Sequence, residues 1–365
     1  MSTETPDPPG ARASERPDGP SRRARGRATM KDVARLAGVG IKTVSRVVNR
    51  EPGVSTAMSA RVDAAVRELG YRPDAGASAL RRADGRSSAI GVVVDDVANP
   101  FSGAVLRAVE EVAIGHGTVV LAGSADEDGP REREVAQAFT DRRVDGLIVA
   151  PTGQADDHLA DELRRGLPVV LVDRDAPGLP VDQVLSTNEL GAAAAVTHLT
   201  DAGHRRVAYL GDLSTISTAR RRFDGYRQAL IDVGLGVDDR LVVADLHGEA
   251  SAEGAAVHLL QLPPEQRPTA LFCAQNRITV GAVRALRSLG LAHDVAMVGF
   301  DDFPLADLLS PGVTVVAQDP GLIGTEAARA LFARIDGSRR PPRTVWVPTT
   351  LVRRGSGEIR PPQGR

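Results

Sequence analysis

Residues 30–49 read MKDVARLAGVGIKTVSRVVN, two short amphipathic segments split at Gly38-Val39-Gly40. The first predicts a helix over Met30–Ala37, with Val33, Leu36 and Ala37 on one side. Gly38 after it suits the positive-φ position that ends a helix. The second predicts a helix from Ile41 to Val48 or Asn49, its Val44, Val47 and Val48 spaced i, i+3, i+4. A third is predicted over Ser55–Leu69, with Val62, Ala65, Val66 and Leu69 on one face, Ser55 as N-cap and Gly70 just past the end. Helix, short turn and helix within about 20 residues is the helix-turn-helix layout. If the three valines of the second helix face inward, its opposite edge carries Ile41, Lys42, Ser45, Arg46 and Asn49. That edge offers a bidentate donor for guanine in Arg46, a second cation in Lys42 and an apolar group for a thymine methyl in Ile41. Short polar groups remain for phosphate oxygens, to which Thr29 and Thr43 add. The spacing alone also suits an ordinary three-helix bundle with a solvated basic face.

Charge separates this region from the rest. Residues 21–82 hold 14 Lys or Arg against 5 Asp or Glu, whereas residues 83–365 hold 29 against 38. A basic head on an acidic body points to a polyanion met by the head alone. Residues 1–27, rich in Pro, Gly, Ser and Arg, lack periodicity and are expected to be a disordered tail. With one cysteine, Cys273, no internal disulfide framework can form. No run of 18 apolar residues appears and the N-terminus has no apolar h-region, so a cytoplasmic protein without membrane contact is expected.

From residue 89 the pattern changes to apolar runs of four to seven residues alternating with helical stretches. The runs are AIGVVV (89–94), TVVLA (118–122), GLIVA (146–150), PVVLV (168–172), RVAYL (206–210), LVVADL (241–246), ALFCA (270–274), VAMVGF (295–300), VTVVA (313–317) and TVWV (344–347). Continuous apolar strands between helices predict parallel sheets covered on both faces. About ten strands exceed one lobe, so two α/β lobes are inferred. Ligands of such folds lie beyond the carboxyl ends of the strands. The polar residues there are Asp95, Asp96 and Asn99 with Phe101 and Ser102, then Asp173 and Arg174, Gln275 and Asn276, and Asp301. Such groups around an aromatic ring suit polyhydroxyl recognition, since each hydroxyl both donates and accepts. Each is equally suited to capping a helix.

The run TMKDVARLAGVGIKTVSRVVNREPGVSTAMSARVDAAVRELGYRPDAGASAL (29–80) resembles the N-terminal domain of the lactose-repressor/galactose-repressor (LacI/GalR) family of transcription regulators. DVARLAGV, TVSRVVN and ELGYRP are its most specific segments. The resemblance continues through DDVANPF, VDGLIVA, VVLVDR, Gly203-His204, RRRFDGY, VGFDDFPLADLLSPGVTVVAQDP and VPTTLVRR. It covers about residues 28–355.

The resemblance implies an all-α helix-turn-helix domain over 28–72, a hinge helix or linker over 73–87, and a two-lobed α/β core over 88–365. That core is expected to be periplasmic-binding-protein-like (type I), with parallel sheets. Its N-lobe would take about 88–187 plus 318–338, and its C-lobe about 188–317 plus 339–356. The family's base-reading positions fall on Ile41, Lys42 and Arg46, and its backbone-contact positions on Thr43, Ser45 and Asn49. Leu80 matches the leucine that hinge helices insert in the minor groove, an apolar wedge whose unstacking cost is offset by a bent duplex. Effector positions match Phe101, Ser102, Asp173, Arg222, Gln275, Asn276 and Asp301. Three departures stand out: Gly40 replaces a serine, Ser102 a second aromatic, and Gln275-Asn276 an Asn-Asp pair.

The implied partners are double-stranded operator DNA, a small sugar-like effector and a second copy of the chain, with no cofactor. The implied function is a dimeric, effector-controlled regulator, expected to be a repressor. An α/β enzyme would need a motif such as G-x-G-x-x-G, a Walker A loop, H-E-x-x-H or G-x-S-x-G, none of which occurs at a suitable place. A transport-type solute-binding protein shares the core but leaves residues 28–82 without a use.

Overall fold

The computed structural model describes residues 28–49, 51–72, 86–153 and 157–362. The tail 1–27 and the hinge stretch around Leu80 lie outside them. Two compact units divide after Gly85.

The first unit comprises α1 (Met30–Ala37), α2 (Ile41–Val48) and α3 (Thr56–Leu69). Thr29 and Asp32 form a reciprocal capping box at the start of α1, and Gly38 ends it at φ 63°. Ser55 caps α3 and Gly70 ends it at φ 58°. Val33, Ala34, Ala37, Val44, Val62, Ala65 and Tyr71 make the core, with Val47, Val48, Val66 and Leu69 packed around it. The expected inward face of α1 needs one correction: Leu36 is 46% exposed and Ala34 takes its place. Arg61 of α3 donates to the carbonyls of Ala37 (2.7 Å) and Gly38 (3.3 Å), so a cation meets the negative end of α1.

The second unit holds two six-stranded sheets. The first contains β1 (Ala89–Val94), β2 (Val119–Ser124), β3 (Leu147–Val149), β4 (Val169–Val172), β5 (Asp182–Ser186) and β11 (Thr344–Val347), in the order β11-β5-β4-β3-β1-β2. The second contains β6 (Val207–Leu210), β7 (Val242–Val243), β8 (Ala270–Cys273), β9 (Ala296–Phe300), β10 (Thr314–Ala317) and β12 (Thr350–Val352), in the order β12-β10-β9-β8-β6-β7. All recorded pairings are parallel except β10 with β12. Helices α4 (Pro100–Gly115), α5 (Gly129–Thr140), α6 (Asp157–Arg164) and α11 (Pro320–Ile335) accompany the first sheet. Helices α7 (Asn188–Asp201), α8 (Ser217–Asp232), α9 (Glu249–Leu260) and α10 (Asn276–Ser288) accompany the second. Each sheet separates two apolar clusters, one per face, as its unbroken apolar strands require.

The second unit corrects five expectations. Strand β5 was not anticipated, because Asp182, Gln183 and Ser186 break its apolar character. Asp182 is nonetheless buried, accepting from Arg334 Nε (2.8 Å) and the Arg343 amide (3.0 Å). The same anchor places β11 beside β5, in the first lobe rather than with 339–356 in the second. Only a short link leaves α11 before β11 begins, and Asp182 holds both of its ends. Strand β12 was also not anticipated. The run 241–246 is mostly not a strand: Asp239–Leu241 is a 3-10 turn, and Asp245 at φ 60° ends the extended stretch. Finally, the core begins at Arg86 rather than 88. Arg86 donates to Asp336 (2.9 Å) and to the Ile335 carbonyl, while the Ser87 and Ser88 amides donate to Asp145.

Three helix pairs touch backbone to side, one of them through Gly281 of α10, whose Cβ would lie 2.3 Å from the Glu249 carbonyl of α9. A Cβ on Gly225 of α8 would lie 2.2 Å from the Glu189 carbonyl of α7, and one on Gly324 of α11 2.4 Å from the Val105 carbonyl of α4. Gly324→Ala is expected to destabilise the core by about 1–3 kcal/mol through overpacking. Thermal unfolding checks this; an unchanged midpoint would show that α4 and α11 separate freely.

Candidate functional site

In the first unit, burial of Val44 fixes the roll of α2. Ile41, Lys42, Arg46 and Asn49 are exposed, and Thr43 and Ser45 are half-buried. The expected edge is therefore presented to solvent. Asn49 Nδ2 lies 3.4 Å from Ser45 Oγ, and Arg46 Nε 4.0 Å from Glu51. Thr29 is already engaged: its hydroxyl donates to Asp32 at 2.6 Å, so it serves the start of α1 first. Gly40 caps α2 without a side-chain hydrogen bond.

In the second unit, a cleft of about 550 Å³, partly open to solvent, lies between the two sheets. Strands β1, β4, β6, β8 and β9 each deliver a polar residue from their carboxyl ends: Asp95, Asp173, Asp212, Gln275 and Asp301. Asp173 and Asp301 hold φ of 63° and 67°, each with its amide bonded to a neighbouring strand. Of the residues expected here, Asp95, Asn99, Phe101, Ser102, Asp173, Arg174, Arg222, Gln275 and Asp301 line the cleft, and Asp96 does not. Nor does Asn276. Its Nδ2 donates to Asn99 Oδ1 at 2.8 Å, joining the start of α10 to the start of α4. Further links cross between the lobes: Arg221 to Asp175 (2.6 Å), Arg221 over the Trp346 ring (5.5 Å to its centre) and Arg277 to Asp96 (3.9 Å).

Arg222 is buried. Its Nε donates to Asn188 Oδ1 (2.7 Å), its Nη1 to the Ala274 carbonyl (2.7 Å) and to Asp301 Oδ2 (3.3 Å), and its guanidinium stacks 3.9 Å from the Phe300 ring centre. The second oxygen of Asp301 accepts from Gln318 Nε2 at 2.5 Å. Arg174, equally buried, forks onto Glu127 at 2.7 and 2.5 Å, a bidentate pair.

Glu127, Asp212, Thr218 and Gln318 were not among the expected site residues. Gln318 lies in a loop whose reach into the cleft depends on a crossing between the lobes, and Glu127 joins the site through its pair with the lining Arg174. Asp212 follows β6, and the strand-end rule that selected Asp173 would have found it. Asn188, which orients Arg222, sits at the start of α7 and carries no local signal.

Burial raises the carboxyl groups of Asp95, Asp173 and Asp212. Asp95 moves from 3.8 up to about 7, through burial and then the nearby Glu127 charge, with Arg174 opposing.

The fold and this cleft define a two-lobed binding-protein-like sensor joined to a helix-turn-helix unit. Residues 29–74 match the model for bacterial regulatory proteins of the lacI family, and residues 196–357 that for the periplasmic binding protein-like domain. The chain is 35% identical over 331 residues to the HTH-type transcriptional regulator GalR of Escherichia coli, covering 90% of this chain and 95% of that one. Among solved structures, a complex of the transcriptional regulator CelR with cellobiose matches at TM-score 0.67 and 31% identity, over 90% of this chain and 100% of that one. The lac repressor dimer bound to operator and an anti-inducer matches at TM-score 0.79 and 26% identity, over 91% and 99%. The chain belongs to the LacI family of DNA-binding transcriptional regulators, and is not an enzyme. Among the described residues, no helix is long and apolar enough to cross a membrane.

Between about pH 4 and 7 the folded protein keeps a proton on Asp95 that the unfolded chain has released. Its contribution to stability is full below that window and lost as pH rises through it. Asp95→Asn should therefore flatten the fall in thermal midpoint from pH 4 to 7. Identical slopes in wild type and variant would overturn the assignment.

Proposed function

We propose that this regulator is a repressor that binds a near-palindromic operator as a homodimer in the cytoplasm. A sugar or sugar derivative in the cleft controls its operator affinity. The observation that carries the DNA reading is the burial of Val44 beneath an exposed edge of Ile41, Lys42 and Arg46. Those three side chains read base edges, and Thr43, Ser45 and Asn49 touch the backbone. Thr29 adds to the backbone contacts through the ordered start of α1. Leu80, outside the described residues, is assigned the minor-groove wedge from the resemblance alone.

Magnitudes favour release of Arg46 to DNA. An exposed pair such as Arg46–Glu51 is worth about 0–1 kcal/mol, against about 1–3 kcal/mol for a bidentate contact to guanine. Dimerisation is supported by Ile114, at the end of α4, and Val119, on edge strand β2. They are 73% and 63% exposed on the margin of the first sheet.

Phe101, Ser102, Asp173, Arg222, Gln275 and Asp301 form the effector site, and Asn276 acts on it through Asn99. Ligand bridging the lobes would bias their relative placement. A coupling of about 1–3 kcal/mol to DNA is typical of such switches.

The test begins by selecting the operator from random duplexes. Arg46→Ala should then weaken binding by about 1–3 kcal/mol and relax one base position. Unchanged selectivity would remove Arg46 from the reading set. Wild-type affinity should fall steeply with salt, as released counterions require; a flat salt dependence would argue against a phosphate-tracking interface.

A further inference from the structure

We propose that the cleft takes an amino sugar, a polyhydroxyl ring bearing a protonated amine, and turns away phosphorylated sugars. The inference rests on the reading of this cleft as the effector site, and names the ligand's charge.

The cleft lining holds four aspartates, Asp95, Asp173, Asp212 and Asp301, against two arginines, Arg174 and Arg222. Both arginines are already paired, with only Arg174 Nε lacking a hydrogen bond. Arg174 is forked onto Glu127, and Arg222 spans Asn188, the Ala274 carbonyl and Asp301. An arriving anion would have to break a buried pair and leave its carboxylate stranded, the expensive way to open such a pair. Asp301 is matched by Arg222. Asp173 reaches only the flank of Arg174, 3.6 Å from Nε, and the bond recorded to the Asp212 carboxylate is the neutral Leu213 amide. Asp95 lies against Glu127, a second carboxylate.

Hydrogen-bond demand points the same way. The buried lining atoms without a hydrogen-bond partner are Asp95 Oδ1, Asp173 Oδ1, Gln318 Oε1 and Arg174 Nε. Asp173 Oδ1 and Gln318 Oε1 are acceptors and Arg174 Nε is a donor, while Asp95, which shares a hydrogen bond with Glu127, becomes a pure acceptor only once its own proton leaves. An ammonium group brings three donors and no acceptor, whereas a phosphate brings acceptors and negative charge. Hydroxyls of a neutral sugar could supply donors but leave the crowded carboxylates uncompensated. Burial and mutual repulsion push those carboxylates toward protonation, and a bound cation is what relieves that.

The experiment measures binding to the full chain by calorimetry, at a pH where the amines are protonated. Glucose, galactose and mannose would be compared with their 2-amino and 6-phosphate derivatives. At least one amine should bind about tenfold or more tightly than its neutral parent, the effect of a single close charge pair of about 1.4 kcal/mol, and no phosphate should bind. That advantage should shrink in Asp173→Asn, where asparagine keeps the side-chain shape and tolerates the positive φ. Asp212→Asn provides the same check should the first variant fail to fold. A neutral parent or a phosphate binding as tightly as its amine would overturn the charge inference and leave the sugar reading standing. An advantage untouched by both substitutions would overturn it equally. No binding by any of these sugars would overturn both readings.

Discussion

The buried pairing of Arg222 with Asp301 governs the floor of the cleft. A guanidinium taken out of water is tolerable only when charge and hydrogen bonds are returned to it. Here they come from Asp301 after β9, from the carbonyl after β8 and from Asn188 at the start of α7. One side chain on α8 thereby ties together three other elements of the second lobe. Gln318, on the segment running toward the first lobe, closes the remaining oxygen of Asp301. The rigid part of the site is thus fixed by satisfied charge, with the Phe300 ring stacked on the guanidinium.

Three chain segments join the lobes, between β5 and α7, β10 and α11, and β11 and β12. Thr187 and Thr349, in the first and third, bond to each other through the Thr349 amide at 3.1 Å. Besides these covalent links, the lobes meet through polar contacts at the cleft rim: the Asn99–Asn276 amide pair, Arg221 with Asp175, and Arg277 with Asp96. The two ion pairs are partly exposed and individually weak, and the buried Asn99–Asn276 pair is a single neutral contact, so a surface made of them can be rearranged by a ligand of ordinary affinity. An apolar seam of the same area would resist such a shift. The architecture therefore suits a protein whose output depends on lobe placement.

Much of this was legible from residue order. Valine spacing in residues 44–48 gave the roll of α2 because a helix of two turns can bury only one stripe. Gly38 and Gly70 marked helix ends because their φ is positive. Most strands of the core announced themselves as apolar runs, since a parallel sheet covered on both faces has no polar side. Reading failed where burial is compensated at long range. Asp182 looked like a loop residue until Arg334 and the Arg343 amide came to it, and with it β5 and the placement of β11 were lost. Leu36 looked like core because its period was right, yet the smaller Ala34 holds the inward position. Asn276, expected as a ligand contact, has its amide engaged with Asn99 across the lobes.

What the sequence by itself determined is the set of elements and the chemistry available at their ends, because local periodicity, caps and strand-end polarity act within a few residues. Which of those polar groups face one another was decided only by the tertiary structure. Glu127 and Arg174 are 47 residues apart, Arg222 and Asp301 79, and Asn99 and Asn276 177. Electrostatic and hydrogen-bond partners are selected by distance in space, and two sheets threaded by three crossings set that distance. The balance of charge in the cleft, and so the kind of molecule it favours, is for that reason a property of the folded chain alone.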